Sequence, residues 1–328
     1  MAKKQKERVL SASRIGTLEK CTWSYWCGYH LKVPQNTHPA ASRGTICHLV
    51  LELLLKERHK KHFDLLIKSE TIKSSRPVDK LVIKHLKKLG LFIPEHYEMC
   101  DEMIIVGLKA DFFGRDFGGK VDEPEKKLEL CGKDGLEYKV TGYIDKPIVN
   151  SKKKEVKIVD YKSSKNKFKG EELSANTQAI IYTMAAKEMW PKMKKFVMEF
   201  LFLRYPKKPA QQIEVSDEEL SGYKYYLEHL YKLINNFTEK EARKNFAKDK
   251  DKTKWLCGWP GTSWVCPYRE PVKYFVLLNK DGEPITSSFK NDLEPKEDET
   301  VEERYYKGCP AYYVQNQSLG EKDDDFWF

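Results

Sequence analysis

The sequence predicts an α/β domain built on a small mixed β-sheet flanked by helices. Two observations carry the prediction. First, apolar periodicity along the chain changes in the order helix, strand, strand, strand, helix, strand, helix, which fits one layered domain with its sheet between helices. Second, hydrophobic residues make up 40% of the 328 positions, enough to bury a sizeable core. No repeat at solenoid-like periods interrupts this pattern.

The elements follow in order. Residues 11–30 read as a short helix rich in Trp and Tyr, with Ser11 or Ser13 as N-cap. After a link containing Pro34 and Pro39, the segment from Ser42 to about His59 is helical, with Leu49, Val50, Leu53 and Leu54 as apolar positions. Residues 77–90 form a basic amphipathic helix. Residues 103–108 and 139–149 read as strands, and a turn through Asn150–Lys154 leads into a further strand over Val156–Tyr161. Helical spacing returns at Ser174 and stops at Trp190, before Pro191. Residues 195–203 form another strand, and helices fit Asp217–Phe237 and Thr238–Lys250. From Pro271 the composition shifts to turn-formers, acids and tyrosines. The expected organisation is a domain over residues 1–270, with a helical insertion at about 60–95, and an extension over 271–328.

Charge divides the chain in the same way. Residues 271–328 hold 7 Lys and Arg against 13 Asp and Glu, so the net +10 of the whole chain becomes +16 over residues 1–270. A cationic body suits a polyanionic partner through counterion release, although Lys-rich helices also serve simply as soluble surface. No run approaches the roughly 18 apolar residues of a membrane span. The basic N-terminus has no apolar signal region behind it, so a cytoplasmic location is expected. In that setting the eight cysteines are not expected to form a disulfide framework, which leaves free thiols or metal ligation.

Three segments carry the chemistry. In Arg43-Gly-Thr-Ile-Cys-His48-Leu-Val-Leu-Glu52, His48 and Glu52 stand four apart and share a helix face. Gly142-Tyr-Ile-Asp145 places an acid within a strand. Val156-Lys-Ile-Val-Asp160-Tyr-Lys162 places Asp160 and Lys162 on one side of the next strand. Singly, each has a bland reading: a boundary histidine, a turn aspartate, a cross-strand pair. Together they form what phosphodiester hydrolysis requires, because charges inside apolar strands cost stability unless paired or metal-bound. Carboxylate oxygens bind Mg²⁺ or Mn²⁺, the ion acidifies a water, and a lysine beside it steadies the developing anion. A histidine among the ligands favours Mn²⁺.

This series resembles the RecB-like branch of the PD-(D/E)XK nuclease superfamily, which includes AddB-type nuclease domains, CRISPR adaptation nucleases and phage exonucleases. The family's Gly-x-x-x-His-x-x-x-Glu is matched by Gly44, His48 and Glu52. Its Gly-x-x-Asp is matched by Gly142 and Asp145, its Asp-Tyr-Lys by Asp160–Lys162, and its Gln-x-x-x-Tyr by Gln178 and Tyr182. The resemblance covers roughly residues 9–268 and implies a restriction-endonuclease-like core. It also implies that His48, Asp145, Asp160 and the main-chain carbonyl of Tyr161 hold the metal, with Lys162 as the catalytic lysine. Gln178 and Tyr182 would touch the DNA backbone or support the site, unless they are only a polar stripe. Glu52 reads as a supporting residue, and Arg43 as a phosphate contact or a surface arginine.

The implied activity is a metal-dependent deoxyribonuclease working from DNA ends, in recombination, repair or degradation. The small size fits a phage-encoded protein acting in the host cytoplasm. The alternatives are a non-catalytic DNA-binding or scaffold subunit and an RNA-directed nuclease. No Gly-x-x-x-x-Gly-Lys-Ser/Thr occurs, so any helicase would be a partner. Trp23, Tyr25, Trp26 and Trp259 offer either core or stacking surfaces for bases.

Two features lie outside this frame. Cys21, Cys257 and Cys266 match three ligands of the family's iron–sulfur site, but Pro260 stands where its middle cysteine belongs. A cluster usually takes four cysteines, so the sequence leads to the expectation of a degenerate site without one. Cys27 and Cys309 are the available substitutes, and a three-cysteine zinc site is a further alternative. The second feature is the end of the chain, Asp323-Asp-Asp-Phe-Trp-Phe328. It resembles the acidic, aromatic-tipped ends of single-stranded-DNA-binding proteins, whose implied role is contact with a partner, the alternative being a solubilising tail.

Overall fold

In the computed structural model the apolar run around Val156–Tyr161 becomes the central strand of a sheet, buried on both faces. The structure describes residues 7–36, 38–258 and 265–312. Contacts divide the chain into two units, Met1–Ala12 with Thr37–Lys232, and Ser13–Asn36 with Leu233–Phe328.

Among its described residues the first unit contains strands β1 (Lys120–Val121), β2 (Lys126–Cys131), β3 (Lys139–Ile144), β4 (Lys146–Asn150), β5 (Glu155–Lys162), β6 (Lys195–Phe202) and β7 (Ala210–Ile213). Five of them form a sheet in the order β1-β4-β5-β6-β7, and β2 and β3 form a separate ribbon. β4 and β5 are a hairpin. Its turn is closed by the Asn150 side chain, whose oxygen accepts the Lys153 N–H at 3.1 Å, with Lys154 in the left-handed region at φ 57°. β5 and β6 run parallel and so need a crossover. The helix Thr177–Met189 lies in that connection, capped by Asn176, whose oxygen accepts the Ala179 N–H at 3.0 Å.

The helix Pro39–Leu55 packs with helices Phe63–Ser69, Arg76–Lys88 and Pro94–Lys109 in one apolar cluster that also takes in Val159 and Leu201 of the sheet. The expected strand at 103–108 is part of the last of these helices. Met103 through Leu108 are buried almost without interruption, so the run shows no amphipathic period, and its Ile-Ile-Val core imitates a strand. Pro94 at the helix start and Gly107, where a Cβ would meet Leu51 at 2.8 Å, suit the helical packing instead. The expected helix over 238–250 is likewise reduced to Glu239–Ala242 and a 3₁₀ turn at Ala247–Asp249.

The second unit contains β8 (Val272–Leu278), β9 (Pro284–Ser288) and β10 (Thr300–Tyr306), antiparallel in the order β10-β8-β9. Residues after 270 pack with residues 13–36: the Tyr306 hydroxyl accepts from Trp23 Nε1 at 2.7 Å and donates to the Tyr268 carbonyl at 2.7 Å. Tyr274 donates to the Leu31 carbonyl at 3.1 Å. Trp23 and Tyr25 are therefore core residues, while Trp26 stacks on His30. Trp259, Pro260, Trp264 and the tail Asp323–Phe328 lie outside the described residues. Among those described, no helix is long and apolar enough to cross a membrane.

Candidate active site

The hairpin and the helix Pro39–Leu55 bring the polar residues together. Gly44 allows this approach. A Cβ there would lie 2.5 Å from the Ser163 hydroxyl, just past the end of β5, so the helix that carries His48 sits directly on the strand that carries Asp160. His48 is half-buried and its Nδ1 lies 3.3 Å from Asp145 Oδ2. Its ring meets the Tyr161 ring edge-on, with centroids 5.6 Å apart.

Asp145 does not stand within a strand, as the sequence suggested. It occupies the bend where the chain leaves the β2–β3 ribbon at Ile144 and enters the main sheet at Lys146. The bend frees its carboxylate from both ladders, and Oδ2 accepts the Tyr161 N–H at 2.8 Å. On β5, the Lys162 carbonyl accepts from Leu203, so the next residue back points its peptide groups the other way. The Tyr161 carbonyl therefore faces the same side as the Tyr161 N–H that Asp145 accepts.

Asp160 is almost fully buried. Its Oδ1 accepts from Gln178 Nε2 at 2.5 Å, and Gln178 Oε1 in turn accepts from Lys162 Nζ at 2.7 Å. Asp160 Oδ2 is ion-paired with that ammonium at 2.6 Å and has no other polar partner among the described residues. Burial pushes the Asp160 carboxyl up to about 6; Lys162 opposes the shift and Asp145 adds to it. Burial disfavours the charged form of His48, but the hydrogen bond and charge of Asp145, with the charge of Asp160, outweigh it and raise its pKa.

Glu125 is a member that sequence reasoning missed. Its side chain, with His48 and Asp145, offers three donor atoms all within 4.8 Å of one another. Its backbone N–H donates to the Asp145 carbonyl at 3.1 Å, and burial followed by the charge of Asp145 raises its pKa. The register explains its position: Lys126 pairs with Ile144, so the next residue back on β2 stands opposite Asp145. Reading Lys126–Cys131 as a partner of 139–144 was the signal that could have found it.

The remaining predicted residues lie further out. Tyr182 donates to the Tyr143 carbonyl at 2.7 Å and ties the crossover helix to β3. Glu52 holds Lys56 at 2.6 Å. Arg43 is buried, with Nη1 2.9 Å from His96 Nδ1, in the packing between its helix and Pro94–Lys109.

The set suits a small divalent ion. Ligands at about 2.1 Å put the donors of an octahedron roughly 3.0 to 4.2 Å apart, and the donor atoms of His48, Glu125 and Asp145 all lie within 4.8 Å of one another. Asp160, whose charge acts on both His48 and Asp145, supplies a further hard oxygen donor.

A mixed sheet backed by helices, with acids, a histidine and a lysine gathered at the ends of its central hairpin, is the framework of a nuclease. The chain belongs to the PD-(D/E)XK nuclease superfamily, whose family model matches residues 9–270. Among solved structures it is similar to a protein assigned as an exonuclease, from Eubacterium rectale. The two are 11% identical, the match covers 76% of this chain and 88% of that one, and the TM-score is 0.44. No curated protein matches the chain.

Proposed function

We propose that this nuclease is a metal-dependent deoxyribonuclease acting from DNA ends, with Mg²⁺ or Mn²⁺ held by His48, Glu125, Asp145, Asp160 and the Tyr161 carbonyl. The observation that carries the reading is the convergence of His48, Glu125 and Asp145, with the Tyr161 N–H bonded to Asp145 and Lys162 paired with Asp160 on the same strand. A metal bound there would acidify a water and neutralise charge on the scissile phosphate. Lys162 keeps a cation next to Asp160, where it steadies the anion that develops on the phosphate. Gln178 bonds both groups and fixes their separation, while Tyr182 anchors the helix that carries Gln178. Preference for DNA ends follows from the RecB-like resemblance, and the +16 charge of residues 1–270 supports a polyanionic substrate.

The test is cleavage of end-labelled DNA and RNA by purified protein, with and without Mg²⁺ or Mn²⁺. Labelled DNA should shorten from its ends only with metal. Asp160→Ala and Lys162→Ala should each abolish cleavage and leave DNA binding within about tenfold, because phosphate contacts are spread over many lysines. Near-normal cleavage by Asp160→Ala would show the assignment to be wrong, and cleavage of RNA alone would replace the substrate.

A further inference from the structure

The β2–β3 ribbon has two unlike faces. Leu128, Leu130, Val140 and Ile144 turn inward and are buried, whereas Lys127, Glu129 and Tyr143 on the other face are exposed. Lys127 stands opposite Tyr143 in the register. The Glu125 N–H bond to the Asp145 carbonyl, 3.1 Å, carries the ladder on to the metal donors, and the Glu125 and Asp145 side chains lie together on one side of it. Because side chains alternate with a period of two, the Lys127–Tyr143 pair shares that side, one step further along. The candidate metal site therefore opens onto an exposed ribbon face whose first residues are a lysine and a tyrosine.

We propose that Tyr143 is a base-stacking residue: the DNA strand being cut crosses the exposed face of the β2–β3 ribbon unpaired, and the base next to the scissile phosphate lies on the Tyr143 ring. The inference rests on the reading of His48, Glu125 and Asp145 as the metal site of a deoxyribonuclease, and deepens it by naming a single strand as what that site receives.

A lone exposed aromatic is ordinary, and it is position that gives this one its meaning. Tyr143 is 54% exposed, whereas Tyr161 and Tyr182, the other tyrosines of the site, are buried and offer no ring face to a base. Trp23 and Tyr25, which the sequence offered as stacking surfaces, are core residues. The Tyr143 backbone is fixed, since its carbonyl accepts from the Tyr182 hydroxyl at 2.7 Å, so the ring is presented by a tethered strand. Two residues along an antiparallel strand advance it by about 6.8 Å, a distance that one nucleotide of an unpaired strand spans. Lys127 supplies a cation beside the ring for the neighbouring phosphate. Its present partner, Glu129, is an exposed acid, and such surface pairs are weak enough for a phosphate to displace. Stacking tolerates any sequence because every base has a π-face, which suits an enzyme that digests DNA from its ends. Bases inside a duplex are stacked on each other and leave no such face free.

The experiment measures binding of short single-stranded oligonucleotides, in Mn²⁺, to the full chain carrying Lys162→Ala so that the DNA stays intact. Adding Tyr143→Ala should weaken binding roughly tenfold, the size of one base–aromatic stack. Tyr143→Phe should bind like the parent, since the ring and not the hydroxyl stacks. One abasic nucleotide, moved along the oligonucleotide from its end, should cost the same factor at one position and cost nothing there once Tyr143 is alanine. The same sequence closed in a duplex should lose nothing with Tyr143→Ala, and Tyr225→Ala, at an exposed tyrosine of the helix Asp217–Asn235, should bind single strands like the parent. Photo-cross-linking needs no variant at Tyr143: 5-iododeoxyuridine at the abasic-sensitive position should attach to Tyr143, located by mass spectrometry. Unchanged binding by Tyr143→Ala, a Tyr143→Phe protein as weak as Tyr143→Ala, abasic losses that add to the alanine loss at every position, an equal loss on duplex, or attachment to another residue would each overturn the proposal. Failure of the nuclease reading is seen separately, as a natural protein that leaves end-labelled DNA uncut in Mn²⁺.

Discussion

Replacing Glu125 by Gln keeps the shape of the side chain and removes one negative charge from the group that includes His48 and Asp145. At roughly 4 Å and an effective dielectric of about 20, a pair of unit charges interacts by about 4 kcal/mol. Part of that is returned as the metal regains hydration, so a loss of about 3 kcal/mol is expected, roughly a hundredfold in metal affinity. The rate at saturating metal should fall far less, because Asp145, Asp160 and Lys162 stay in place. A second signature follows from the raised pKa of Glu125, caused first by burial and then by Asp145. A carboxylate whose folded pKa lies above its unfolded value opposes folding at neutral pH, and this penalty fades as pH falls through that range. Glu125→Gln should therefore melt at a higher temperature than the natural protein when metal-free, and gain less from added Mn²⁺. The assays are cleavage and melting across an Mn²⁺ titration, with the exposed Glu123→Gln as control. An unchanged metal requirement in Glu125→Gln would refute the placement of Glu125 as a ligand.

Three further outcomes are expected. Gln178→Ala frees Lys162 and Asp160 from their shared partner and should lower the cleavage rate by roughly 10- to 100-fold without changing DNA affinity, measured by single-turnover kinetics and filter binding. Lys146 is fully buried, and burial pushes its pKa down to about 8. The unfolded chain thus binds more protons between about pH 8 and 10.5, so stability rises with pH across that window. Lys146→Met should be more stable by about 3 kcal/mol at pH 7 and lose that rise, read from urea midpoints against pH. Deleting residues 321–328 should strengthen DNA binding if the acidic end competes for the same basic surface, and an unchanged dissociation constant would dismiss that competition.

The sequence by itself determined the elements whose chemistry is local. The apolar run along Val156–Tyr161, the turn at Asn150–Lys154 and the four-residue spacing of Gly44, His48 and Glu52 are readable because neighbours along the chain set them. Those segments carry His48 and Asp160, and short motifs elsewhere singled out Asp145, Lys162 and Gln178, so most of the residues the fold gathers were legible in the sequence. The second half of the helix over residues 94–109 was not legible, because Met103–Leu108 are buried all round, which removes the amphipathic period that marks a helix.

Only the tertiary structure decided the rest. Glu125 enters the site through the β2–β3 register, and Asp145 is presented by a bend between two sheets rather than by a strand face. Arg43, which by sequence could be surface, is consumed in helix packing. Cys309 reaches the cavity of Cys21, Cys257 and Cys266 because the second unit folds its last strand back onto residues 13–36. In each case the deciding contact joins residues distant in sequence. Such contacts are fixed by the packing and register of whole elements, which local periodicity does not encode.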